Sequence, residues 1–234
     1  MANIIEINHE IGNTSEYGTI YDPDTGEFNV TEAAALGGTN CGLAITINDT
    51  DNVYGQVTLG SPNASGIWRA RFYLDPNSIT WANNTDTEIL VLQGGATEWG
   101  EVLIIKFGKD GSGNYIIHSM TQPDVGGYDD SGNHIITDAP HWIEIEVSAG
   151  AGTGTHKLWI DSLIAPMYSK AALDNNSKAV NMQYCYFGAF GGVPAGADGI
   201  IFLDELIVND TGDEIGPLDS LIGTKQYMPT FYRG

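Results

Sequence analysis

Basic residues are scarce in this chain: 9 Lys and Arg stand against 30 Asp and Glu over 234 residues, a formal charge of -21. A polyanion would meet repulsion over almost the whole surface, so nucleic acid is not an expected partner. Such acidity suits solubility, carboxylates gathered for a cation, or a surface that meets a basic partner. Long apolar runs are missing as well. Nothing approaches the roughly 18 to 20 residues needed to cross a bilayer, and no membrane partner is expected. The opening MANIIEINHE has neither a basic stretch nor a long apolar one, so export by a signal peptide is not expected. Cysteine is limited to Cys41 and Cys185, too few for a disulfide framework, and two free thiols are the preferred reading. The histidines, His9, His118, His134, His141 and His156, show no metal-binding spacing, and no G-x-S-x-G elbow, P-loop or dinucleotide fingerprint occurs.

What is present is alternation. In His141 to Asp161, HWIEIEVSAGAGTGTHKLWID, the residues Ile143, Ile145 and Val147 share one face, and Trp142, Glu144 and Glu146 the other. A second arm repeats the pattern, with Leu158 and Ile160 opposite Lys157, Trp159 and Asp161. The Gly-rich stretch Ser148 to Gly154 supplies the reversal, so a hairpin is predicted with an aliphatic side and a polar, indole-bearing side.

Short strands with turn residues between them recur through the chain: Ile4 to Ile7, Gly42 to Ile47, Val53 to Leu59, Gly66 to Leu74, Glu88 to Gln93, Glu101 to Phe107, Asn114 to Met120, Gln183 to Phe190 and Gly199 to Val208. That cadence predicts an all-β fold, an antiparallel β-sandwich in one domain spanning residues 1–211. Tyr17 to Val30 reads as a hairpin around DPDTG, and Pro166 to Ala179 as a loose polar connection. Residues 212–234 form a C-terminal extension carrying Leu218, Leu221, Ile222, Tyr227, Met228, Phe231 and Tyr232. So apolar an extension is expected to act as a docking arm, against the sandwich or a neighbouring subunit.

With the strands placed, HWIEIEV, KLWID, FGAFGG and GIIFLDELIVND resemble the concanavalin A-like lectin/glucanase superfamily, in particular its laminin-G-like branch. The likeness covers Leu36 to Asn209 and departs at Ser162, where that branch has Gly. It implies a concanavalin A-like jelly roll. The segments INHEIGNTSEY, ALGGTNCGLAI and RARFYLDP resemble a narrower group, single-domain structural proteins of tailed phages. That likeness implies a protein assembled in the host cytoplasm and carried on the virion surface beside other capsid subunits, itself a homo-oligomer.

The three-carboxylate strand of the glucanase-type relatives is absent, and Glu144 with Glu146, or Asp204 with Glu205, lack its third acid or its spacing. The expectation is therefore a non-enzymatic lectin-fold structural or decoration protein with glycan-binding capacity, the alternative being a glucanase-type glycoside hydrolase or a soluble lectin. The candidate ligand surface is Trp142, Glu144, Glu146, Lys157, Trp159 and Asp161, where indoles can stack on sugar rings and carboxylates accept hydroxyl protons. Packing of the same indoles in a second layer is the competing reading, and Glu144 with Glu146 reads as a solvated pair. Arg69 and Arg71 share one face of one strand and suit either an acidic ligand or neighbouring carboxylates. No catalytic residue is assigned. Ca²⁺ stays open and unassigned: Asp110, Ser112 and Asn114, Asp129, Ser131 and Asn133, and the loops DPDTGE and NDTDN all have the oxygen-rich character it needs, yet ordinary turn tips explain each.

Overall fold

The computed structural model describes residues 3–94 and 100–218. Alternating segments become strands β1 (Asn3–Ile7), β2 (Thr19–Tyr21), β3 (Phe28–Thr31), β4 (Gly42–Ile47), β5 (Val53–Asn63), β6 (Ile67–Asp75), β7 (Thr85–Gln93) and β8 (Glu101–Lys109). The second half adds β9 (Tyr115–Thr121), β10 (Asp129–Asp130), β11 (His134–Ile135), β12 (His141–Ser148), β13 (Ala151–Ile160), β14 (Tyr168–Asp174), β15 (Met182–Gly191) and β16 (Gly199–Asn209). They assemble into two antiparallel sheets. The first runs β14-β13-β12-β6-β16-β4-β3 with β1 also on β16, and the second runs β10-β9-β8-β7-β15-β5-β2 with β11 also on β9.

The core lies where the inner faces meet. On β6, Trp68, Ala70, Phe72 and Leu74 are fully buried, as their alternation predicts, and Ile143, Ile145 and Val147 of β12 join them. The second sheet answers with Leu90, Leu92, Leu103, Ile105, Phe107 and Phe187. Phe72 meets Phe187 edge-on across the sandwich, centroids 5.6 Å apart, a geometry favoured by the ring quadrupoles. The Trp68 indole donates to the Ala179 carbonyl at 2.6 Å, so the one polar atom of that buried ring is satisfied.

The hairpin of β12 and β13 forms in the predicted register, pairing Glu144 with Trp159 and Glu146 with Lys157. The reversal falls in the Gly-rich stretch, inside the terminal Ser148–Thr155 pair. β13 starts at Ala151 because residues beyond that pair go on along β14, with irregularities between Ala151, Gly154 and His156.

Two readings are corrected. Tyr17 to Val30 is not a hairpin: β2 pairs with β5 in the second sheet and β3 with β4 in the first, so DPDTG carries the chain between layers. A reversal signal records a change of direction and cannot say which partner the next strand finds. The stretch from Pro166 to Ala179 holds a strand, β14, whose exposed, polar sequence belongs to a sheet edge.

On β16 the alternation breaks, and for a reason. Leu203 pairs with Leu74 and Val208 with Ala70, both facing the core, which leaves one residue too many between them. Glu205, at φ 52°, takes up the difference in a bulge. Strict alternation would have turned Glu205 inward with Leu203 and Leu206 outward. With the bulge, Leu203, Leu206 and Val208 are all fully buried in the core.

Candidate functional site

The residues expected to hold a ligand are brought together on the outer face of the first sheet, on adjacent strands. Register places Arg71 beside Glu144 and Glu144 beside Trp159, then Arg69 beside Glu146 and Glu146 beside Lys157, and Trp142 beside Tyr73. Arg69 donates through Nε to Glu144 and through Nη1 to Glu146 at 2.9 Å, and Lys157 reaches Glu146 at 2.7 Å. The Arg69 guanidinium also lies over the Trp159 ring, 4.5 Å from its centroid. Arg71 contacts Glu205 at 3.5 Å.

This face is covered. Residues 212–218 cross it, and the Ile215 and Gly216 amides donate to the two Glu144 oxygens at 3.1 and 2.8 Å. Arg69 donates to the Gly212 carbonyl at 3.2 Å, and the Leu218 amide donates to the Tyr73 hydroxyl at 2.7 Å. Glu144 is therefore fully buried, Arg69, Arg71 and Trp159 nearly so, and the Glu144 and Glu146 pair is an ion-pair ladder rather than a solvated one. Asp161 lies apart from the ladder, accepting from the Trp142 amide at 3.0 Å and bonded to His141 at 2.5 Å. The expected docking arm thus begins by packing on its own sandwich. Leu218 is its last described residue, and Leu221, Ile222, Tyr227, Met228, Phe231 and Tyr232 lie outside the described residues.

The outer face of the second sheet differs. On β15 the outward residues are Tyr184, Tyr186 and Phe190, and on neighbouring β5 Thr58 stands opposite Tyr184, Gln56 opposite Tyr186 and Tyr54 opposite Gly188. Tyr21 of β2 stacks on Tyr54 at 5.4 Å, Tyr54 meets Phe190 edge-on at 4.9 Å, and Phe190 lies 4.4 Å from Tyr186. Tyr184 follows, 6.4 Å from Tyr186 and nearly parallel to it. None of these rings is buried, and Tyr21 is 47% exposed. Gln93 borders the run and accepts from the Tyr186 hydroxyl at 3.1 Å.

Beyond the aromatics, the same face turns ionic. Glu88 pairs across to Lys106 and Lys106 to His118. Lys106 reaches Asp86 at 3.2 Å and Glu88 at 3.9 Å, while His118 contacts Asp86 at 3.3 Å and Asp130 at 3.1 Å. Burial, with the charge of Glu101, pushes the Glu88 carboxyl up. The His118 hydrogen bond and Lys106 outweigh burial at Asp86 and hold it down. Burial alone would depress His118, but Asp86 and Asp130 raise it. The sequence carried a signal for this face: Q-Y-C-Y-F-G-A-F puts Tyr184, Tyr186 and Phe190 on one side by simple alternation.

The loops weighed for Ca²⁺ separate. Asp110 closes its own turn, accepting from the Ser112 and Asn114 amides at 2.8 and 2.9 Å. Asp129 is taken by His156 at 2.8 Å and by the Tyr168 hydroxyl at 3.0 Å. Both cysteines are free thiols, and Cys185 is buried.

No family model matches this chain. No curated protein matches it either. Solved structures do. The globular domain of T. cruzi calreticulin aligns with a TM-score of 0.59 at 10% identity, over 89% of this chain and 88% of that one. A cellulose-induced protein aligns with a TM-score of 0.59 at 14% identity, over 91% and 100%. An alginate lyase from Pseudomonas aeruginosa aligns with a TM-score of 0.51 at 13% identity, over 81% and 87%. The chain has the concanavalin A-like jelly-roll fold that its strand motifs resemble. Identity this low carries the architecture and nothing about chemistry.

Proposed function

We propose that this protein is a non-enzymatic, lectin-type module that holds a neutral glycan on the outer face of its second sheet and serves as a decoration protein on a tailed-phage particle. The observation that carries the glycan reading is the run of accessible rings from Tyr21 through Tyr54, Phe190 and Tyr186 to Tyr184, bordered by Gln56 and Gln93. Ring faces pack on the C-H surfaces of pyranoses, and amides read hydroxyls. An acidic sugar would meet Asp86, Glu88, Glu101 and Asp130, so a neutral one fits better. The placement on a particle is supported by the likeness of INHEIGNTSEY, ALGGTNCGLAI and RARFYLDP to phage structural proteins, and by the acidity of the chain.

Affinity electrophoresis in gels of neutral β-glucan and of alginate tests the glycan. Retardation by the neutral polymer, lost in Tyr54→Ala and Tyr186→Ala but kept in Trp142→Ala, is the expected result. Equal migration in all gels would remove the reading. Mass spectrometry of purified particles tests the location, and absence of the chain from them would remove that part.

One observation favours a second reading, a glycoside hydrolase. Asp86 and Glu88 sit two apart on one face of β7 beside the aromatics, with their acidities pushed in opposite directions. Split carboxylates are what acid and nucleophile roles require. Reducing-sugar release lost in Glu88→Gln would establish it.

A further inference from the structure

Three carboxylates that the chain order keeps apart converge at one end of the sandwich. The loop after β2 contributes Asp24 and Glu27, and the loop after β4 contributes Asp49. Each offers an oxygen within 4.8 Å of the others. Both loops are crossovers: residues 22–27 lead from the second sheet to the first, and residues 48–52 lead back.

Crowded acids on a surface are ordinary, but Glu27 is not on the surface. It is only 4% exposed, and neither carboxylate oxygen has a hydrogen-bond partner. A buried carboxylate without donor or counter-ion is costly, and native structures seldom leave one so. No lysine or arginine occurs anywhere before Arg69. Among the described residues, no ion pair involves Asp24, Glu27 or Asp49. The local backbone is already ordered around these carboxylates. Asp22 accepts from the Gly26 and Glu27 amides at 2.8 and 3.2 Å, and the Glu27 carbonyl accepts from Thr46 at 2.8 Å.

We infer that Asp24, Glu27 and Asp49 form a binding site for a hard divalent cation, Ca²⁺, which ties the two crossover loops together. The donors are all oxygen, with no histidine or cysteine, which excludes a preference for zinc or copper. Ca²⁺ takes six to eight oxygens at about 2.3 to 2.6 Å in a flexible geometry, which suits carboxylates arriving from two separate loops. Mg²⁺ demands a near-ideal octahedron at about 2.0 to 2.1 Å and gives up its waters reluctantly, so it suits such a site less well.

The test uses the full chain, stripped with a chelator and titrated with CaCl₂ and then MgCl₂ by calorimetry and thermal denaturation. The expected result is one Ca²⁺ bound per chain, a raised Tm, and binding about tenfold weaker or worse in Glu27→Gln. Asp49→Asn, at a partly exposed position, serves as a second variant should Glu27→Gln fail to fold, with the same loss expected. Without cation, Glu27→Gln should melt higher than the parent. No heat and no Tm shift in the parent overturns the site. So does equal binding by parent and variants, which would place the cation elsewhere on an acidic surface.

Discussion

Ser119 of β9 and His156 of β13 meet inside the sandwich, Oγ to Nε2 at 2.8 Å, and so join the two sheets by a polar contact within an apolar core. The far side of the imidazole, Nδ1, bonds Asp129 at 2.8 Å, and Tyr168 donates to the same carboxylate. The connectivity is that of a nucleophile, a base and an orienting acid. Yet Ser119 and His156 are both fully buried, so no acyl group can reach the hydroxyl. The trio acts as a cross-brace.

The brace predicts that Ser119→Ala costs about 1 to 3 kcal/mol, because it leaves a buried ring nitrogen without a partner. Urea denaturation measures it. A fluorophosphonate should leave Ser119 unlabelled in the folded protein, and labelling there would show that the core opens to reagents.

Glu205 predicts a pH dependence. Burial first, offset by Arg71 and reinforced by Asp204, raises its carboxyl from 4.5 to about 7. The folded state therefore holds a proton that the unfolded chain has lost. Its stabilising effect is complete below about pH 4.5 and disappears as pH rises through 7, by on the order of 2 to 3 kcal/mol. Glu205→Gln should flatten the stability curve between these values and melt higher at pH 8. An unchanged slope would mean that Glu205 ionises normally.

Glu144 predicts the importance of the covering segment. Its oxygens take Arg69 and the two amides of Ile215 and Gly216. Ending the chain at residue 211 removes the amides and uncovers Trp159, so the Tm should fall and the tryptophan emission shift to the red. Glu144→Ala leaves the Ile215 and Gly216 amides without an acceptor and Arg69 with Glu146 as its remaining carboxylate, and is expected to cost about 1 to 3 kcal/mol. Emission unchanged on truncation would show that the segment does not shield the ladder.

Gly55 predicts a steric limit. A Cβ there would lie 2.2 Å from the Tyr17 ring. That ring packs edge-on to Phe28 at 5.0 Å, and its hydroxyl bonds His9 at 2.9 Å, while His9 in turn bonds Asp204 at 3.0 Å. Gly55→Ala should displace Tyr17, break that chain and cost about 1 to 3 kcal/mol, read by chemical denaturation.

Most of the strands, the inward sets on β6 and β12, and the two faces of the β12–β13 hairpin were legible in the chain, while β10, β11 and β14, short or exposed, left no alternation to read. Alternation and adjacency are local properties, and a one-residue slip would expose a whole aliphatic face. Folding in three dimensions settled which sheet each strand joins, as with β2 and β3 on either side of DPDTG, and where β16 bulges at Glu205. It also decided which polar face stays open. Trp142, Glu144 and Trp159 alternate as plainly as Tyr184, Tyr186 and Phe190, but residues 212–218, distant in sequence, lie across the first set. Convergence of Asp24, Glu27 and Asp49 likewise depends on two separate crossovers ending side by side, and pairing over such distances leaves no periodic trace in the chain.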